Sequence, residues 1–249
     1  MRLQCYCSIV LLLLLHAFAA SSAATDFDFF YHVQQWPCSF CDTKKGCCFP
    51  NNVKPAADFG IHGLWPNYAA CRPATADADA DAPEIRISKT KKKCWPESCN
   101  ATDSFSLLQV RDLLGDMDRN WGTLSCKSND STPFWSHEWE KHGTCSNMDQ
   151  HTYFAAALQF KARFNLTRIL LDAGITPSDE KTYFLSSILD AITEATGSKP
   201  SIGCNKGVAG EMQLFEVYQC VDRTGTRPVD CPGPVQGRKC SDKVQFPAF

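Results

Sequence analysis

Fifteen cysteines in a chain of 249 residues limit this fold more than any other feature. What they mean depends on the compartment, and the N-terminus supplies it. "MRLQCYCSIVLLLLLHAFAASSAATDF" has a positive Arg2, an apolar stretch from Ile9 to Leu15, and small residues at "SSAA". That is the pattern of a secretory signal peptide over residues 1–24, removed near Thr25. The stretch is too short to span a bilayer, and no other run approaches the roughly 18 apolar residues a spanning helix requires. Cys5 and Cys7 leave with the signal; thirteen cysteines remain. In an oxidising compartment they pair into a framework with one left over, free or bonded between molecules. Sequons at Asn100, Asn129 and Asn165 agree with that route. The expected location is the secretory pathway, ending outside the cell or in a vacuolar or lysosome-like compartment; the terminus "FPAF" is no retention tail.

Residues 25–249 suit one domain. A net charge of -2 excludes non-specific coating of nucleic acid by a global basic excess. "DFDFFYHVQQW" reads as an early strand, "CSFCDTKKGCCFP" as a cysteine-tight loop, and "DFGIHGLWPNY" as a strand running into a turn. "RPATADADADAPEIRISKTKKK", residues 72–93, reads as a solvated surface insertion. Lys89, Lys91, Lys92 and Lys93 in it carry a minor expectation of polyanion attraction. "SFSLLQVRDLLGDMDRNW" has helical spacing, and "QHTYFAAALQFKARFNLTRILLDAG" is helical with a break near Asn165. "PSDEKTYFLSSILDAITEATG" is a third helix, capped by Ser178 or Asp179 and stopped by Gly197. "MQLFEVYQCVD" alternates as a strand, with Leu214, Glu216 and Tyr218 on one face and Phe215, Val217 and Gln219 on the other. "KVQFPAF" closes as a strand. Helices and strands do not alternate as βαβ units. The expected class is α+β: an antiparallel sheet core with several helices packed around it, stabilised by disulfides.

The chemistry concentrates in "TPFWSHEWEKHGTC". A zinc-protease site needs two histidines at i and i+4. Here His137 and His142 are five apart, roughly 140° around a helix at about 100° per residue, and Lys141 beside them repels a divalent ion. No metal or cofactor is expected. Acid–base chemistry fits better. Glu138 and His142 share one i, i+4 row, His137 and Lys141 another. Glu138 can orient His142 or hold its charged form, and Lys141 offers positive charge to an anionic centre. Imidazole takes and gives a proton near neutrality, as phosphoryl transfer requires. Cleaving a phosphodiester this way wants a second histidine. His62 in "FGIHGLWP" is the candidate, between glycines that let a substrate backbone approach. Trp65 and Phe134 offer flat surface for a base. His32 and His151 read as packing or surface residues.

"FGIHGLWP" and "FWSHEWEKHGTC" resemble the two active-site segments of the ribonuclease T2 family, secreted acid endoribonucleases, most of all its plant S-like, non-self-incompatibility branch. The resemblance runs from "DFDFFYHVQQWP" to the cysteine-bearing C-terminus. It implies metal-free cleavage of single-stranded RNA through a 2′,3′-cyclic phosphate to a 3′-phosphate, at an acidic optimum and without action on DNA. Carried over by motif position, His142 is the general base, His62 the general acid, and Glu138 and Lys141 stabilise the pentacovalent phosphate, with His137 helping to hold it. Trp65 lines the phosphate pocket; Gln35 and Phe134 match base-site positions, and base preference follows pocket shape around Gln35, Trp36 and Phe134. By the same analogy the expected pairs are Cys41–Cys47, Cys48–Cys126, Cys99–Cys145, Cys204–Cys240 and Cys220–Cys231. Cys71 and Cys94 bracket the insertion and are expected to close it. Cys38 is the odd thiol, which leaves a Cys38-linked dimer beside the expected monomer. The competing readings are an inactive storage or defence protein on the same scaffold, a metallohydrolase, and a bare disulfide-rich binding module.

Overall fold

The aromatic strand near the N-terminus lies inside a sheet. In a computed structural model, which describes residues 25–73, 92–128, 130–235 and 237–249, the elements in chain order are β1 (Phe29–Gln35), α1 (Pro37–Cys41), β2 (Gly60–Asn67), β3 (Arg72–Pro73), β4 (Lys92–Lys93), α2 (Leu114–Asn120), α3 (Thr132–Lys141), α4 (Gln150–Arg163), α5 (Leu166–Asp172), β5 (Ser178–Phe184), α6 (Leu185–Thr196), β6 (Ser201–Lys206), β7 (Met212–Val221), β8 (Pro228–Val229) and β9 (Lys243–Phe246). The expected signal peptide, the Ala–Asp repeat, Lys89, Lys91 and Asn129 fall outside the described residues.

β7 is the spine of the sheet. β1 pairs antiparallel along one edge of it and β6 and β8 along the other, β2 pairs with β1, and β9 joins through one parallel bridge, Gln213 to Gln245, carrying β5 beyond it. This is the α+β class. Two apolar clusters hold the helices. One joins Phe30, Ile61 and Leu64 to Met117, Trp121, Trp135, Trp139 and Phe154, bringing α2, α3 and α4 onto β1 and β2. The other joins Leu214, Val217 and Phe246 to Leu170, Ile188 and Ile192 of α5 and α6. A buried indole removes roughly 150–250 Å² of surface from water, a gross gain of about 4–6 kcal/mol before its ordering entropy is counted. Trp36, Trp121 and Trp139, all fully buried, are therefore major anchors.

Three local expectations are corrected. The helix expected over 104–121 is α-helical only at Leu114–Asn120; before it the chain turns through bonds such as Gln109 N–H to Ser106 O and Leu113 N–H to Val110 O. Leu107 and Leu108 are exposed there, so no surface repays a continuous helix. Neither Ser178 nor Asp179 caps α6. Residues 178–184 pair with β9 instead, the sheet ladder overriding the cap signal, and the helix starts after Phe184 and ends at left-handed Gly197 as expected. The strict alternation of β7 also fails. A bulge against β6 leaves Phe215 unpaired there, so Leu214 and Val217 share the core while Glu216 and Tyr218 face elsewhere.

Among the described residues six disulfides staple the loops: Cys41–Cys47, Cys48–Cys126, Cys71–Cys94, Cys99–Cys145, Cys204–Cys240 and Cys220–Cys231. Among the described residues Cys38 is the one free cysteine. Burial, with the Asp179 and Asp42 charges, raises its thiol pKa. Asn100 and Asn165 are exposed, and the Asn165 side chain caps α5 by accepting from Arg168 N–H.

Candidate active site

His62 owes its position to a second bulge. Between β1 and β2 the register runs Val33 to Gly63 and then Gln34 to Ile61, so His62 is the extra residue. Bulges re-aim side chains, and this one lets Ile61 and Leu64 both enter the core while His62 and Trp65 leave it. The bulged backbone is pinned: Trp121 Nε1–H donates to His62 O at 3.1 Å and the Tyr153 hydroxyl to Leu64 O at 2.8 Å.

α3 delivers the other half. Trp135 and Trp139 bury one of its faces, their indoles donating to Trp121 O and Asp103 O. Glu138 is 2 % exposed. The helix ends at Lys141, and His142 is its C-cap, N–H to Glu138 O. A 3-10 turn, Gly143–Cys145, follows and is tied to Cys99. Gly143 is obligatory, because a Cβ there would collide with the Trp139 ring.

The two halves meet on Trp65. Its ring lies edge-on to His62 at 4.9 Å between centroids and nearly parallel to His142 at 5.2 Å. Its Nε1–H donates to Glu138 Oε2 at 2.7 Å. Gly63 makes room for that bond: a Cβ there would collide with both the Trp65 indole and the Glu138 carboxylate. At Gly63 this corrects the sequence reading in which the glycines beside His62 admit substrate, since its bare Cα serves an internal contact; Gly60 has only Asn120 O near it. Glu138 does not hold His142 either. Its partner is Trp65, and its charge acts on His62.

Sequence reasoning missed Glu216. It is fully buried on β7, and its Oε1 accepts from His62 Nδ1 at 2.8 Å. Its Oε2 accepts from the Tyr218 hydroxyl at 2.6 Å and lies 3.6 Å from Arg238 Nε. A carboxylate inside an otherwise buried strand was the signal, because such a charge must have a partner.

The environments polarise the two imidazoles in opposite directions. At His62 burial works to lower the pKa, but the Glu216 hydrogen bond and the charges of Glu138 and Glu216 outweigh it, against Arg238, and the net shift is upward. Burial, then the charges of Lys141, His137 and His62, lowers His142 to about 3. His142 Nδ1 is buried without a hydrogen-bond partner among the described residues, leaving Nε2 to serve the site. Burial pushes Glu138 up to about 7 against His62, the Trp65 bond and Lys141. His137 is exposed and lowered by partial burial, Lys141 and His62. Lys141, half-buried, lies 4.0 Å from Glu97.

Phe134 is half-buried with its ring 6.0 Å from His62. Gln35 is 4 % exposed and pairs with Gly60 and Glu216 in the sheet. Trp36 is fully buried, its indole donating to Pro247 O, which corrects its expected part in base preference. His32 is buried against Ala157 O, and His151 is a surface partner of Asp112. Among the described residues no cluster of three or more His, Cys, Asp or Glu could hold a metal ion, and no helix is long and apolar enough to cross a membrane.

A profile of the Ribonuclease T2 family matches residues 27–231. Ribonuclease 1 of Arabidopsis thaliana is 47% identical over 246 residues, covering 98% of this chain and 96% of the relative. Intracellular ribonuclease LX of Solanum lycopersicum is 44% identical over 90% of this chain and 85% of its own length. The crystal structure of RNase NT in complex with 5'-AMP superposes with a TM-score of 0.78 at 45% identity, covering 90% of this chain and all of the other. With the fold, both active-site segments and these likenesses in agreement, the chain belongs to the ribonuclease T2 family.

Proposed function

We propose that the Trp65 site cleaves single-stranded RNA by metal-independent acid–base transesterification. The chain is an endoribonuclease of the ribonuclease T2 type. The observation that carries the mechanism is two imidazoles on one indole, at 4.9 and 5.2 Å, with carboxylates beside one and an ammonium beside the other. His142, neutral, takes the proton of the ribose 2′-OH. O2′ bonds to phosphorus, the P–O5′ bond breaks with its electron pair on O5′, and protonated His62 supplies the proton that oxygen needs. The 2′,3′-cyclic phosphate is then opened by water with the roles exchanged, giving a 3′-phosphate. Lys141, with His137, offsets the charge of the pentacovalent phosphate, and Glu138 holds Trp65 in place. DNA, lacking the 2′-OH, is not cut.

RNase NT holding 5'-AMP supports a nucleotide-binding site, and Phe134 beside His62 is a surface for a base. Residues 1–24 act as the signal peptide, and residues 25–249 form the single catalytic domain with its insertion at about 71–94. The oxidised cysteines support the secretory route; a relative named intracellular makes retention in a vacuole-like compartment the alternative to export. The test is an RNA-digestion gel of wild type, His62→Ala and His142→Ala, each with and without EDTA. The expected result is activity in wild type alone, unaffected by chelator. Equal activity in all three proteins, or loss in EDTA, overturns the mechanism.

A further inference from the structure

We infer that Glu216, with Tyr218 and Arg238 behind it, is the positioning residue of the acid His62: its carboxylate fixes the ring by the Nδ1–H bond, aims Nε2–H at the departing O5′, and keeps the ring charged until that proton leaves. The inference rests on the acid–base reading above and adds a second group to it.

The geometry is specific. Glu216 and His62 lie on β7 and β2, the two strands flanking β1, and meet across it through a 2.8 Å bond. Each sits at or beside a bulge, without which strict alternation would direct one of them into the core. Glu216 has no solvent exposure, so its charge persists only because both oxygens are engaged: Oε1 by His62, Oε2 by the Tyr218 hydroxyl with Arg238 close by. These donors hold its pKa below the ordinary carboxylate value despite burial. Tyr218 is itself fixed by edge contacts with Tyr31 and Trp65. The other titratable groups acting on or beside His62 are Glu138 and His137 of α3, His142 at its end, and Arg238. Among the described residues only Glu216 touches the ring through a hydrogen bond.

When the P–O5′ bond breaks, the Nε2–H proton passes to O5′, and the neutral ring keeps its Nδ1–H on Glu216. The ring therefore never turns and never needs a different tautomer. An ionised partner favours the imidazolium by about 1–3 pH units. Glu216→Gln keeps the shape and an acceptor for Nδ1–H but removes the charge.

The experiment is the pH dependence of kcat/KM for wild type, Glu216→Gln and His62→Ala on a dinucleotide and on a nucleoside 3′-(p-nitrophenyl phosphate). The expected result is an alkaline limb moved down by about one pH unit in Glu216→Gln, hence about tenfold lower activity on that limb, with the acid limb unchanged. On the nitrophenyl ester, whose leaving group needs no acid, the deficit disappears. A merely structural role moves neither the limb nor the leaving-group dependence. Coincident alkaline limbs in wild type and Glu216→Gln, with His62→Ala inactive on the dinucleotide, overturn this inference and leave the acid–base reading standing. Full activity of His62→Ala on the dinucleotide overturns both. If Glu216→Gln does not fold, the His62 ring titration in wild type is read by NMR: a pKa above that of free histidine supports the inference, and one at or below it overturns it.

Discussion

His62 and His142 are the same side chain on the same indole, yet their surroundings are opposites. His62 faces Glu216 and Glu138, and its Nδ1 has a carboxylate acceptor. His142 faces Lys141 and His137, and its buried Nδ1 has no partner among the described residues. An imidazolium needs acceptors for both N–H groups, so the first position favours charge and the second refuses it. Difference in roles thus comes from difference in neighbours: the ring that keeps its proton is suited to be the acid, and the one held neutral to be the base.

The contrast is broken most severely by deletion. His62→Ala and His142→Ala are each expected to lose about 10²–10⁴-fold on a dinucleotide. With a p-nitrophenolate leaving group the first recovers most of its rate and the second does not; steady-state rates on the two substrates check this, and equal recovery would erase the acid–base distinction. Next comes the wall between the two rings. Gly63→Ala forces Trp65 and Glu138 apart, and is expected to cost about 1–3 kcal/mol in thermal unfolding and, through misplacement, about 100-fold in kcat. The pH profile sharpens the comparison. Activity should rise as pH climbs through about 3, where His142 loses its proton, and fall at a pH above the ordinary histidine value, where His62 loses its own. Lys141→Gln removes a cation that opposes protonation of His142, so its acid limb should move up by about one pH unit. The smallest effect belongs to Cys38→Ser, outside both neighbourhoods. Its thiol is held protonated by burial and two carboxylates, so reducing and non-reducing gels should show the same monomer band before and after substitution.

The local chain carried much of this. Aromatic density with partial alternation marked β1, helical spacing marked α4 and its break at Asn165, and Gly197 marked the end of α6. Errors arose where a tertiary partner outvoted a local signal or where none was there to support it. Residues 178–184 joined β9 despite an N-cap pattern, and Leu107 and Leu108 found nothing to cover. In the site, "HEWEKH" named the chemistry on α3, but the i, i+4 rule paired Glu138 with the wrong histidine because the helix ends at Lys141.

By itself, then, the sequence determined the residue types, their spacing along α3, the cysteines available for pairing and the family, because these are properties of neighbours along one chain. Only the tertiary structure decided which histidine meets which charge. His62 and Glu216 are 154 positions apart and touch because two bulges on strands flanking β1 turn both side chains to one side. A bulge is a mismatch between two strands, and neither strand's own sequence contains it.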